Sequence, residues 1–161
     1  MYSSVNLMSF VNGRPQASAS VKGSADFPEI SGTVDFYQRR EGVIVVAAVS
    51  GLPAGDNNCS KPIFAFHIHS GGSCGGSTSD YFSDALAHYN PHGCPHPYHA
   101  GDLPPLFGCA GLAFSAFMTD RLSVNEIIGR TVIIHSAPDD FTTQPSGNSG
   151  TKIACGVIEP R

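Results

Sequence analysis

Ile63-Phe64-Ala65-Phe66-His67-Ile68-His69 is the stretch on which the fold turns. Its residues alternate in character, and successive side chains of a β-strand point to opposite faces. Ile63, Ala65, His67 and His69 therefore share one face, and Phe64, Phe66 and Ile68 share the other. One side is apolar throughout. The other ends in two imidazoles set two residues apart. The same period recurs on both sides. Ala17 to Val21 reads ASASV, and Gly32 to Tyr37 reads GTVDFY with Val34 and Phe36 on one face. Gly42 to Val49 reads GVIVVAAV, the near-continuous apolar run of a strand covered on both sides. Leu112 to Met118, Thr131 to His135 and Lys152 to Ile158 complete the set. Seven short strands follow, or eight if Asn6 to Val11 also pairs. Such a series predicts an all-β antiparallel sandwich or barrel.

Composition agrees. Gly 18 and Pro 12 punctuate a chain of 161 residues, which suits tight turns better than long helices. That length suits one domain over 1–161, with a core at about 14–158. Charged residues are 14% and the net charge is −4. No basic face for nucleic acid is expected, and no apolar run reaches the roughly 18 residues of a membrane-spanning helix. The N-terminus shows no basic segment followed by an apolar one. The cysteines Cys59, Cys74, Cys94, Cys109 and Cys155 favour an oxidising compartment if they pair. The two signals point in opposite directions, so location stays open between an exported chain and an intracellular one.

Two stretches lack alternation, Ser70 to Gly111 and Ser136 to Gly150. Loops this long in a compact domain are usually functional. Short helical turns are expected near Tyr81 to Ala87 and at Ser123 to Ile127. Six of the seven histidines lie in the first stretch or on the strand feeding it, and His135 ends the strand feeding the second. His88, His92, His96, His99 and Asp102 fall within fifteen residues. Imidazole is the commonest metal ligand at neutral pH. A nitrogen-rich, thiolate-free set with one carboxylate fits zinc or copper(II) better than magnesium or calcium.

The segments Phe66-His67-Ile68-His69, His88-Tyr89-Asn90-Pro91, His99-Ala100-Gly101-Asp102-Leu103-Pro104, Gly129 to His135 and Gly147 to Ile158 resemble, in order, those of the copper/zinc superoxide dismutases. Cys74, seven residues after His67, gives the chain a bacterial look. The resemblance implies an eight-stranded antiparallel Greek-key β-barrel with two long functional loops. It implies copper on His67, His69, His88 and His135, and zinc on His88, His99, Asp102 and one further histidine. His96 is preferred for that place over His92, because His96, His99 and Asp102 at intervals of three make one compact turn. The resemblance makes His88 a bridging imidazolate that opens on the copper side and takes up a proton as copper cycles between Cu(II) and Cu(I). Asp139 matches an aspartate that orients ligand imidazoles. Cys74 and Cys155 match an intramolecular disulfide. Cys59, Cys94 and Cys109 fall outside that pattern: either one further bridge forms among them, for example Cys59–Cys94, leaving one thiol over, or they serve as buried small hydrophobes. Where the family usually carries an arginine beside copper, this chain has Lys152. Lysine keeps the charge for guiding the anion but loses the planar guanidinium fork. The implied substrate is superoxide, and the family often forms homodimers. A copper-only enzyme and a non-enzymatic copper-handling relative are the alternatives.

Overall fold

The structure is a computed structural model and describes residues 12–55, 57, 59 and 62–161. Its strands are β1 (Ala17–Gly23), β2 (Ser31–Arg39), β3 (Gly42–Ser50), β4 (Ile63–His69), β5 (Asp102–Phe107), β6 (Ala113–Thr119), β7 (Thr131–His135) and β8 (Lys152–Pro160). All neighbours pair antiparallel, in the order β5-β4-β7-β8-β1-β2-β3-β6. The strands at the two ends of that order, β5 and β6, are joined by a short turn around the Cys109–Leu112 bridge. The sheet thus curls into a nearly closed barrel. Consecutive strands β3 and β4 are not neighbours in that order, as a Greek key requires.

The inward residues follow the expected period. Val34 and Phe36, Val43, Val45 and Ala47, Phe64, Phe66 and Ile68, and Val132 and Ile134 meet in one core. Both faces of β4 are covered, since every residue after Ile63 is buried. Phe64, Phe66 and Ile68 fill the barrel. Ala65, His67 and His69 lie beneath the loops, where the Ala65 N–H donates to the Ala137 carbonyl. Outside β7 and β8, Ile133 and Cys155 form a second small cluster with Phe82 and Ala85 of the first loop. The Cys74–Cys155 disulfide spans the same contact.

Three expectations need correction. The eighth described strand is Asp102–Phe107, placed by the sequence inside a long loop. Its centre is Leu103-Pro104-Pro105-Leu106, and two prolines hide the alternation. They are tolerated because β5 is an edge strand, where missing N–H groups break no ladder. The first loop therefore ends at Gly101, and Asn6 to Val11 lies outside the described residues. Within that loop, only Ser83–Ala85 is helical, as a single 3-10 turn; the other short helix, α1 (Val124–Ile127), opens with a capping box between Ser123 and Glu126. Finally, Cys59, Cys94 and Cys109 are free thiols. Cys59 precedes β4 and Cys94 sits in the loop at its far end. No further bridge joins them.

Candidate metal centre

The C-terminal ends of β4 and β7 bring His67, His69 and His135 together. His88 joins them because its loop is clamped onto β4. His69 and His88 form a β-bridge. The Tyr89 N–H donates to the Ile68 carbonyl at 2.8 Å, and the Gly101 N–H donates to the Tyr89 carbonyl at 2.8 Å. Any side chain at Gly101 would collide with the Ile68 carbonyl, so the clamp requires glycine there. Beneath the clamped segment, the Arg130 guanidinium lies 4.0 Å from the centre of the Tyr89 ring.

Two groups result: His67, His69, His88 and His135, and His88, His96, His99 and Asp102. In each, one ligand atom per residue lies within 4.8 Å of every other. All seven residues are buried, and His88 belongs to both groups. His92, the other histidine of the His88–Asp102 run, is exposed and lies in neither.

Hydrogen bonds set which nitrogen of each ring faces inward. Asp139 accepts from His67 Nε2 at 2.7 Å on one oxygen and from His96 Nε2 at 2.8 Å on the other. Both rings then direct an unprotonated Nδ1 away from Asp139. His69 Nδ1 donates to the Leu86 carbonyl at 2.8 Å, which leaves Nε2 bare, 3.3 Å from His135 Nε2. His67 Nδ1, His88 Nε2 and His96 Nδ1 are buried without a hydrogen-bond partner. Buried polar atoms are normally satisfied. Orphaned lone pairs gathered at two points therefore call for cations.

The second group permits a test of fit. His88 Nδ1 lies 2.8 Å from Asp102 Oδ1, and His96 Nδ1 and His99 Nδ1 lie 3.1 and 3.3 Å from Asp102 Oδ2. His88 Nδ1 and His99 Nδ1 are 3.4 Å apart. Zinc–nitrogen bonds of 2.0–2.1 Å in a tetrahedron place ligand atoms about 3.3 Å apart. The residues fit a tetrahedral divalent ion with three nitrogens and one oxygen.

The electrostatics keep the ligands ready. Burial, reinforced by neighbouring His88, pushes His69 down to about 3. Burial and the three other imidazoles push His135 down to about 2. Burial also lowers His67, against the pull of Asp139. These rings are neutral at pH 7, the form that binds metal. Burial pushes Asp102 up, but the hydrogen bond and charge of His88, with His96 and His99, outweigh it and hold the carboxyl ionised. Asp139 behaves likewise under His67, the Phe141 N–H and His96.

Lys152 lies at the start of β8, in the wall of the cavity that opens over His69, His88 and His135. Its Nζ lies 3.3 Å from Asp80 Oδ1. Other supporting residues carry no sequence signal. Gln144 clamps the His96 backbone, accepting from its N–H at 3.0 Å and donating to its carbonyl at 2.6 Å. Asn90 does the same to Cys94. Gly147, at φ +69, is pressed against Asp139 and His96. The contacts of Gln144 and Gly147 with His96 join one loop to the other, so no local spacing announces them.

Comparison with known proteins accords with this centre. The copper/zinc superoxide dismutase family profile matches residues 30–158. A copper–zinc superoxide dismutase of Photobacterium leiognathi is 34% identical over 142 residues, covering 80% of this chain and 78% of that protein. Copper–zinc superoxide dismutase 2 of Aquifex aeolicus is 32% identical over 145 residues, covering 81% and 80%. The solved Cu/Zn superoxide dismutase of Brucella abortus superposes with a TM-score of 0.73 at 26% identity, over 89% of this chain and 99% of that one. Matched over most of its length in sequence and fold, the chain belongs to the copper/zinc superoxide dismutase family.

Proposed function

We propose that the protein is a superoxide dismutase, with copper held by His67, His69, His88 and His135 and zinc held by His88, His96, His99 and Asp102. The carrying observation is two four-ligand groups that share one buried ring, His88, with unpartnered nitrogens turned into them. Copper, when bound, supplies one-electron exchange, which zinc does not.

The chain's own residues do the rest. Asp139 and the Leu86 carbonyl fix three ring orientations, as partners behind metal ligands commonly do. His88 Nε2, facing the first group, is the ring atom able to hold a proton while Nδ1 serves the second group beside Asp102. Lys152 offers the entering anion a positive charge beside the rings. Two superoxide ions and two protons yield one dioxygen and one hydrogen peroxide, so an anion seat and a proton-holding atom are both required.

No helix among the described residues is long and apolar enough to cross a membrane. We extend the proposal to a homodimer: Phe107, Leu112 and Phe114, at the adjoining edges of the barrel, are more than half exposed and offer a second copy an apolar face. Sedimentation checks this.

The deciding experiment is metal content by mass spectrometry on protein reconstituted with copper and zinc, paired with a superoxide-dismutation assay. One copper and one zinc per chain with activity is the expected result. Copper alone with activity would remove zinc from the proposal, and metal without activity would refute the enzyme.

A further inference from the structure

Among the described residues, three charged side chains line the cavity over the histidine cluster: Asp26, Asp80 and Lys152. The second loop adds none, since Ser136 to Thr151 holds no Lys or Arg and its Asp139 and Asp140 lie outside the cavity lining. The wall thus carries two carboxylates against one ammonium, in a site proposed to admit an anion.

The ammonium is also engaged. Asp80 Oδ1 lies 3.3 Å from Lys152 Nζ, and Asp80 is fixed from behind. Its N–H donates to the Ser77 hydroxyl at 3.2 Å, its carbonyl accepts from Ser77 and Ser83, and Ser77 and Asp80 form a β-bridge. The loop carrying it is bonded by Cys74 to Cys155, on the same strand as Lys152 and three residues further on. Asp26, the other carboxylate, accepts instead from the Tyr81 hydroxyl at 3.3 Å. One carboxylate is therefore held against the only cation of the cavity wall among the described residues, by covalent and backbone constraints independent of Lys152.

We propose that Asp80 is a positioning residue for the anion: it holds the Lys152 ammonium at the cavity wall and competes with the incoming anion for it. The inference rests on the proposed dismutase site. Asp80 is 63% exposed in its side chain and Lys152 is 18%. An ion pair this wet is weak, so an anion displaces Asp80 rather than being shut out. The competition scales anion affinity and rate by a modest factor. Removing it should strengthen both by about threefold to fivefold at low salt, with the gain shrinking as salt screens the charges.

The test uses copper- and zinc-loaded protein as wild type, D80N, D80E, K152A and the D80N/K152A double variant. Azide affinity is read by visible absorption. The second-order rate with superoxide is followed from low to physiological ionic strength. D80N should bind azide about threefold to fivefold more tightly and show a steeper fall of rate with salt. D80E should stay near wild type. In the K152A background the D80N change should lose most of its effect, because Asp80 acts through the ammonium. Unchanged azide affinity in D80N would overturn the proposal. An equal D80N effect with and without Lys152 would also overturn it, leaving direct repulsion. Azide binding separates the two questions: copper-loaded protein that binds azide with these differences but does not dismute superoxide refutes the function and keeps the role of Asp80.

Discussion

Replacing Asp139 by asparagine should injure one metal group and spare the other. The carboxylate accepts from His67 Nε2 on Oδ2, and from both His96 Nε2 and the Phe141 N–H on Oδ1. Asparagine has one acceptor oxygen and one donor nitrogen. Two donors converge on the Oδ1 position, so the amide oxygen settles there and its NH2 faces His67. A donor then meets a donor in a site where both side chains are at most 1% exposed. His67 escapes only by moving its proton to Nδ1, the atom turned toward His69, His88 and His135. That ring ceases to be a ligand until it loses the proton. Partners behind metal ligands typically contribute tenfold to hundredfold in affinity, which is about 1.4–2.7 kcal/mol. Copper affinity should fall by that factor in Asp139→Asn, while zinc affinity should change by less than a few-fold. Asp139→Ala, which releases both rings, should weaken both metals. The assay is competitive chelator titration of each metal, with urea unfolding of the metal-free protein as a control for folding. Zinc lost with copper retained, or neither changed, would refute the tautomer assignment.

Three further outcomes are expected. Metal-free protein should lose stability as pH falls below about 6.5, because His69 and His135 stay neutral in the fold while the unfolded chain takes up protons; each ring contributes up to about 1.4 kcal/mol per pH unit between the unfolded value and the folded ones of about 3 and 2. The depressed Asp139 works in the same sense, because the unfolded carboxylate takes up a proton that the folded one refuses, but it matters only at lower pH, below the ordinary carboxylate value of about 3.9, so a urea midpoint that is flat from pH 7 to 5 would contradict the burial argument. Gly147→Ala should displace the Asp139 carboxylate and the His96 ring, both of which a Cβ would strike, and lower zinc affinity at least tenfold by the same chelator titration. Cys74→Ser with Cys155→Ser opens a closure of 81 residues, worth about 4 to 5 kcal/mol in the chain-entropy estimate; a urea midpoint indistinguishable from wild type would show that the satellite cluster around Phe82 alone secures the first loop.

Much was legible in the sequence. Strand alternation is a local property, so Gly32–Tyr37, Gly42–Val49 and Ile63–His69 declared themselves, together with which face of β4 carries the imidazoles. Seven histidines concentrated on two strand ends and one loop mark a metal centre in the sequence itself. The spacing of His96, His99 and Asp102 favoured one compact ligand turn, and these three residues do converge on His88. Local signals failed where chemistry masks the period or partners are distant. Pro104 and Pro105 concealed β5, because a strand tolerates them only where no neighbour needs their N–H, and that depends on where the sheet ends. A count of cysteines carries no geometry, so the free state of Cys59, Cys94 and Cys109 was decided by the tertiary structure. The exposure of His92 beside the burial of His96 was settled by packing against the second loop, through Gln144 and Asp139. The pairing of Lys152 with Asp80, 72 residues away, was likewise a product of the first loop folding back onto β8. The sequence by itself determined the strand pattern and the kinds of ligand available. Tertiary structure alone decided which nitrogen of each ring faces inward and which charges meet at the cavity, because hydrogen bonds between distant segments set both.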